Sequence, residues 1–267
     1  MRALRPYWLL LRAGFRSQAA YPLAAAAGMF TNSVFGLLKA AILTAAATAA
    51  GGNLAGYTGG QLLAYVWLTQ AMIGLVAAMS TAEIGERIRT GDVATDFTRP
   101  LDVQGAHLAT DLGQSFFSIL PRGLPCVAVG ALVTGMTLPT TLAPYAFGVI
   151  SLVLAAVLSF LCRYAVGILG FWVVDPRGIA TFYLVLSNFL MGLFLPVAIF
   201  PGWLAALAHA TPFPSIMMTP VDVLIGRLDG TDAMGAIGIQ LAWIIAAGGL
   251  GRLLTARGRR ILEVQGG

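Results

Sequence analysis

Six stretches, at about residues 22–50, 61–81, 110–134, 145–173, 179–200 and 234–254, are apolar over roughly the 20 residues needed to cross a bilayer. In hydrocarbon every backbone N–H and C=O must find a partner within the protein. Repeated apolar runs of this length therefore predict membrane-spanning helices. The whole sequence is 58% hydrophobic and only 10% charged. A soluble domain, at about 45–50% apolar and about 25% charged, could not hide this much apolar surface. The expected fold class is an all-α polytopic membrane protein with six transmembrane helices.

Arginine distribution sets the expected orientation. With the N-terminus inside, the inner segments hold Arg2, Arg5, Arg12, Arg16, Arg87, Arg89, Arg99, Arg177, Arg252, Arg257, Arg259 and Arg260. The outer segments hold Arg227 beside Asp222, Asp229 and Asp232. Both termini are thus expected to be cytoplasmic. Lys39 is the only lysine, an arginine bias that points to a GC-rich genome. The chain divides into an N-terminal interfacial helix (1–20), a transmembrane domain (21–255) and a cytoplasmic tail (256–267). The first apolar run is too long for the h-region of a cleavable signal peptide. Cys126 and Cys162 both lie in apolar runs and read as core packing rather than a disulfide.

A polar island at residues 82–101, the core of a loop extending to 108, interrupts this pattern. Glu83 and Arg87 are one helical turn apart, and Ile84 and Ile88 repeat that spacing on an apolar stripe. Gly91-Asp92 ends the predicted helix, and Arg99-Pro100 closes the segment, because a residue before proline is driven away from helical backbone. Two readings stand side by side. One is a solvated connector. The other is a short amphipathic coupling helix offering Glu83, Glu86, Arg87 and Arg89 to a cytosolic partner.

Three cations fall within the apolar runs: Lys39, Arg122 and Arg163. Each is expected to face protein or a water-filled cavity, or to snorkel. Arg122 follows Pro121, where freed backbone carbonyls could receive it, and Arg163 is close enough to a helix end to snorkel. The stretch from Asn188 through Gly192, Phe194, Pro196, Phe200, Pro201 and Trp203 to Pro212-Phe213 and Pro220 is rich in proline yet remains apolar. Broken backbone cannot face lipid, so residues 196–222 are expected to form a re-entrant segment that lines or caps the outer part of a pathway before the last span.

No Gly-x-x-x-x-Gly-Lys-Ser/Thr loop is present, so phosphates of ATP cannot be held in that way, and His107 and His209 fall on opposite sides of the expected bundle. Ile84, Ile88-Arg89-x-Gly91-Asp92-Val93 and Arg99-Pro100-Leu101 resemble the loop after the second span of ABC-2 type permeases, in their six-span bacterial branch. Gly192-x-Phe194-x-Pro196-x-x-x-Phe200-Pro201-x-Trp203, with Pro212-Phe213 and Pro220, resembles that branch's segment after the fifth span. The resemblance implies a permease subunit of an exporter for amphipathic or hydrophobic substrates. It would pair with a second copy or a homologous permease and with two ABC ATPase subunits, which would carry ATP and Mg. This chain would bind no cofactor and catalyse no reaction, with membrane lipids around it and no nucleic acid partner. The competing classes are an ion-driven secondary transporter, which would need a membrane-embedded acid near the midplane, and a non-transporting scaffold or sensor.

Overall fold

The computed structural model describes residues 4–173 and 175–265. Helix α1 (Arg5–Ala19) leads into α2 (Pro22–Ala49). A two-stranded hairpin, β1 (Asn53–Leu54) and β2 (Tyr57–Thr58), then reverses the chain into α3 (Gly59–Leu75). The polar island forms α4 (Glu83–Thr90) and α5 (Val93–Phe97). Helices α6 (Val103–Ser118) and α7 (Leu124–Val133) follow, joined by a π-helical turn at Ile119–Gly123. Beyond them come α8 (Ala143–Ile168) and α9 (Arg177–Leu190). Three short helices, α10 (Gly202–His209), α11 (Phe213–Ile216) and α12 (Met218–Leu224), precede α13 (Gly230–Gln265).

Among the described residues, four helical stretches are long and apolar enough to cross a membrane: Ala25–Ala49, Val103–Val133, Ala143–Phe171 and Gly230–Ile261. The second and fifth expected spans end early. Helix α3 has 17 residues and α9 has 14, about 25 and about 21 Å at 1.5 Å per residue. The third begins at Val103, earlier than its apolar run, because the Asp102 carboxylate caps it by accepting the Gly105 N–H at 2.7 Å. Pro121 does not break that helix; one π turn absorbs the missing donor and the helix continues. Pro6, Pro22 and Pro144 sit in the first turns of α1, α2 and α8, where their absent N–H leaves nothing unpaired.

Helix α8 is the axis of the bundle. Half of its most apolar stretch is buried, against 17% or less for the other three long helices. Helix α13 packs along it, held by Gln240, whose amide nitrogen donates to the Ser215 and Ser151 carbonyls while its oxygen accepts from the Ser151 hydroxyl. On the opposite flank, Trp67 of α3 is wedged against two glycines. A Cβ on Gly130 would lie 2.3 Å from its ring, and one on Gly36 2.7 Å. Helix α1 lies lengthwise along α6 rather than standing apart. A Cβ on Gly14 would come within 2.1 Å of the Thr110 carbonyl, and one on Gly113 within 2.0 Å of the Leu11 carbonyl.

After α9 the chain turns back into the protein. Ser215 lies level with Gln240, ten residues inside α13, whereas Arg227 returns to the hairpin and donates to the Ala55 carbonyl. Residues 213–225 are buried, largely against α8 and α3.

Candidate functional site

At the end of the bundle carrying α4, the amphipathic stripe read from the sequence is directed at α8. Ile84 is 1% exposed and packs on Gly167; a Cβ at Gly167 would fall 2.8 Å from the Ile84 side chain and 3.2 Å from the Gly85 nitrogen. Ile88 lies over Gly170. Gly91, at φ +84°, stops α4 with a left-handed turn that a side chain would strain. The chain then winds into α5, which the sequence did not predict. Between the two helices sits Asp96, buried, accepting from Arg87 Nε at 2.7 Å and Nη2 at 2.9 Å. His107 Nε2 approaches the same carboxylate at 3.4 Å and Arg99 at 3.9 Å. A two-pronged guanidinium–carboxylate contact of this kind fixes geometry as well as charge.

The four charges expected to face a partner therefore separate. Arg87 turns inward to Asp96, with Glu83 a looser neighbour at 3.8 Å. Glu86 and Arg89 pair with one another on the exposed face, and Arg89 holds the Glu86 carboxyl below its ordinary range. Asp92 accepts from the Thr90 hydroxyl at 2.8 Å, and Arg99 and Pro100 stay exposed at the far edge. Asp96 is the residue that helical spacing from Glu83 or Arg87 could not find, since a glycine break intervenes. Its place three residues after Val93 and one before Phe97, on the inward face of α5, was the available signal.

Behind α4 lies a polar cavity of about 230 Å³, walled by α2, α3, α6 and α8. Arg163, 3% exposed at its side chain, donates to Asp111 at 2.8 Å across it, so this cation is paired rather than snorkelling. Arg122 also lines the cavity, close to Gly28. Residues 76–82, which link α3 to α4, are unwound, with Ala77 at φ +47°. Their freed carbonyls are satisfied from elsewhere in the bundle: the Ser159 hydroxyl donates to Val76, and Asn188 Nδ2 donates to Ala78 at 2.9 Å.

At the hairpin end, α9 stops at Leu190 and Gly192 turns at φ +85°. Lys39 Nζ donates to the Leu193 carbonyl at 2.6 Å and sits 5.5 Å from the Phe194 ring centre. Tyr65 donates its hydroxyl to the Gly192 carbonyl at 2.8 Å. The carbonyls freed at this end of α9 thus go to Lys39 and Tyr65. Pro196 and Pro201 flank a single 3-10 turn, Phe200 stacks on Phe189 with ring centres 5.0 Å apart, and Trp203 stands exposed. Pro212 leads into α11, whose Phe213 meets Tyr183 at 5.8 Å. Tyr65 also packs edge-on against Tyr57, which donates to Asp222 at 2.7 Å, and Arg227 lies 3.9 Å over the Tyr57 ring while reaching Asp222 at 3.4 Å. A connected network therefore runs from the hairpin to the break after α9.

A buried apolar bundle, long lipid-length helices and a short charged element seated on the central helix define a multi-pass membrane protein. The sequence matches the family described as ABC-2 family transporter protein over residues 35–266, nearly the whole chain, and the protein belongs to that family. No curated protein matches it.

Proposed function

We propose that this chain is the permease subunit of an ATP-driven ABC-2 exporter, in a bacterial inner membrane with both termini and the α4–α5 element on the cytoplasmic face. The observation that carries this reading is the seating of α4. It is fixed to the central helix α8 through Ile84, Gly85 and Gly167, yet it presents Glu86, Arg89 and the Arg99-Pro100 edge outward. This chain carries no phosphate-binding loop, so ATP-driven pumping by it would need an external motor. Two ABC ATPase subunits, holding ATP and Mg, would supply it, and a second copy or a homologous permease would complete the pathway.

In this reading α3 with residues 76–82, and α9 with residues 191–200, complete six spans. Closure of the ATPases on ATP presses on α4. Because Ile84 and Gly85 touch α8 directly, the displacement passes into the helix that carries Arg163, beside the cavity on the cytoplasmic side. At the outer face residues 196–222 re-enter the membrane. The Lys39–Leu193 and Tyr65–Gly192 hydrogen bonds there hold the broken end of α9, a gate built from Asn188, Gly192, Phe194, Pro196, Phe200, Pro201, Trp203 and Pro212-Phe213. The apolar surroundings suit an amphipathic or hydrophobic substrate.

The chain isolated from its native membranes should bring with it an ABC ATPase whose ATP hydrolysis is vanadate-sensitive. Glu86→Ala and Arg89→Ala should reduce its retention or uncouple hydrolysis from transport, since neither side chain carries the fold. If both variants, and charge substitutions at Glu83 and Arg87, retain full coupling, residues 82–101 are a connector and the ATPase sits elsewhere.

A further inference from the structure

Residues 76–82, between α3 and α4, are unwound although their composition does not require it. No glycine or proline stands between Gly74 and Gly85, so the sequence permits one helix through both elements. Instead α3 closes on itself. The Ala78 N–H donates to the Ile73 carbonyl at 3.0 Å, and the Ala77 N–H to the Gly74 carbonyl at 3.2 Å. That pair of bonds needs a left-handed residue at position 77, a place usually held by glycine, and here alanine takes it at φ +47°. Beyond it, among the described residues, the N–H groups of Met79, Thr81 and Ala82 find no backbone acceptor.

Open volume borders the segment on both sides. Met79, Ser80, Thr81 and Ala82 line the cavity of about 230 Å³ that Asp111 and Arg163 share. Thr81 and Ala82 also line a second cavity of about 240 Å³, against α9. The Asn188 amide that holds the Ala78 carbonyl at 2.9 Å keeps its own Oδ1 buried, with no partner among the described residues. The two ends of the segment are already at helical spacing. Val76 is tied to Ser159 and Ile84 rests on Gly167, and those two positions of α8 are about 12 Å apart along its axis. As a helix, the chain from Val76 to Ile84 covers the same length, so winding needs no sliding of α4 along α8.

We infer that residues 76–82 are a helix–coil switch between the coupling element and α9. When α4 turns, they wind into a helix continuous with α3, and the Ala78 carbonyl passes from Asn188 to the Ala82 N–H. Asn188 stands just before α9 ends at Leu190, so its release reaches the break that Tyr65 and Lys39 hold. Only the force that turns α4 rests on the proposed ATPase; the switch is a property of this chain.

The test uses the isolated permease in detergent, without any ATPase, and reads backbone hydrogen exchange in residues 79–82. Ser159→Ala and Asn188→Leu each remove a side-chain donor that holds a carbonyl of the unwound segment. Each should slow exchange there roughly tenfold, because the released carbonyls then accept from the backbone N–H groups. A passive connector stripped of the same bond would exchange faster, or as before. Ala77→Gly favours the left-handed turn and disfavours helix, so added to either variant it should restore wild-type exchange. Ser159→Ala changes the core least and decides the matter if Asn188→Leu lowers the melting temperature. Unchanged or faster exchange in a folded Ser159→Ala variant, or slowed exchange that Ala77→Gly does not reverse, would overturn the inference. In the co-isolated complex, trapping with vanadate should slow the same N–H groups. If the variants behave as expected and vanadate has no effect, the switch stands and the proposed coupling to an ATPase is what fails.

Discussion

Asp111→Ala is expected to be among the most damaging single substitutions in the chain, costing roughly 3–5 kcal/mol, the usual penalty for stripping one partner from a buried ion pair. The two members of the pair are not equivalent. Asp111 borders the polar cavity and keeps 17% of its side chain exposed, so it could hydrate if left alone. Arg163 is 3% exposed on the central helix, and its Nε has no partner among the described residues, so losing the carboxylate leaves a buried charge without its counter-ion. Arg163→Met should therefore cost less than Asp111→Ala, and the double variant should recover much of the loss, because an apolar side chain of similar length fills the space without a charge. Thermal unfolding of the four proteins in one detergent measures this. Additive single effects would mean that the two side chains do not interact energetically.

The second large effect is local. Asp96→Ala removes the acceptor that joins α5 to α4, and should cost about 2–3 kcal/mol, a charge-assisted, two-pronged contact at a mostly buried acid. Among the described residues, α6 is the only long helix that reaches it, through His107 at 3.4 Å. Hydrogen exchange in residues 91–99 should rise by one to two orders of magnitude while α8 and α13 stay protected, and ATPase retention should fall although the bundle remains folded. Arg87→Met should reproduce the exchange pattern. Uniformly increased exchange would show that Asp96 supports the whole bundle instead.

The position of every long helix was legible in the sequence, because an apolar run in lipid has few structural options. Where the helices stop was not. Residues 76–82 are as apolar as the run that precedes them, and once unwound their Val76 and Ala78 carbonyls accept hydrogen bonds from Ser159 and Asn188, 83 and 110 residues away. The end of α9 has the same origin, with Lys39 acting across 154 residues. Hydropathy is a local property and cannot carry such information. Pro121 was read as an interruption of the third span, whereas a π turn resolved it within the helix. In the polar island the apolar stripe Ile84–Ile88 and the stop at Gly91 were readable from spacing. The inward turn of Arg87 was not, since its partner lies beyond the glycine, outside the reach of any helical spacing rule.

The proposal that α4 is the surface an ATPase seizes is tested most directly by a single cysteine at position 89, in a background where Cys126 and Cys162 are replaced. In the co-isolated complex, a short bifunctional reagent should cross-link position 89 to the ATPase, and trapping with vanadate should change the yield. In intact cells the same cysteine should resist a membrane-impermeant thiol reagent added outside, while a cysteine at Gly52 reacts. An ATPase that co-isolates yet never cross-links to position 89, or labelling of position 89 from outside, would contradict the account.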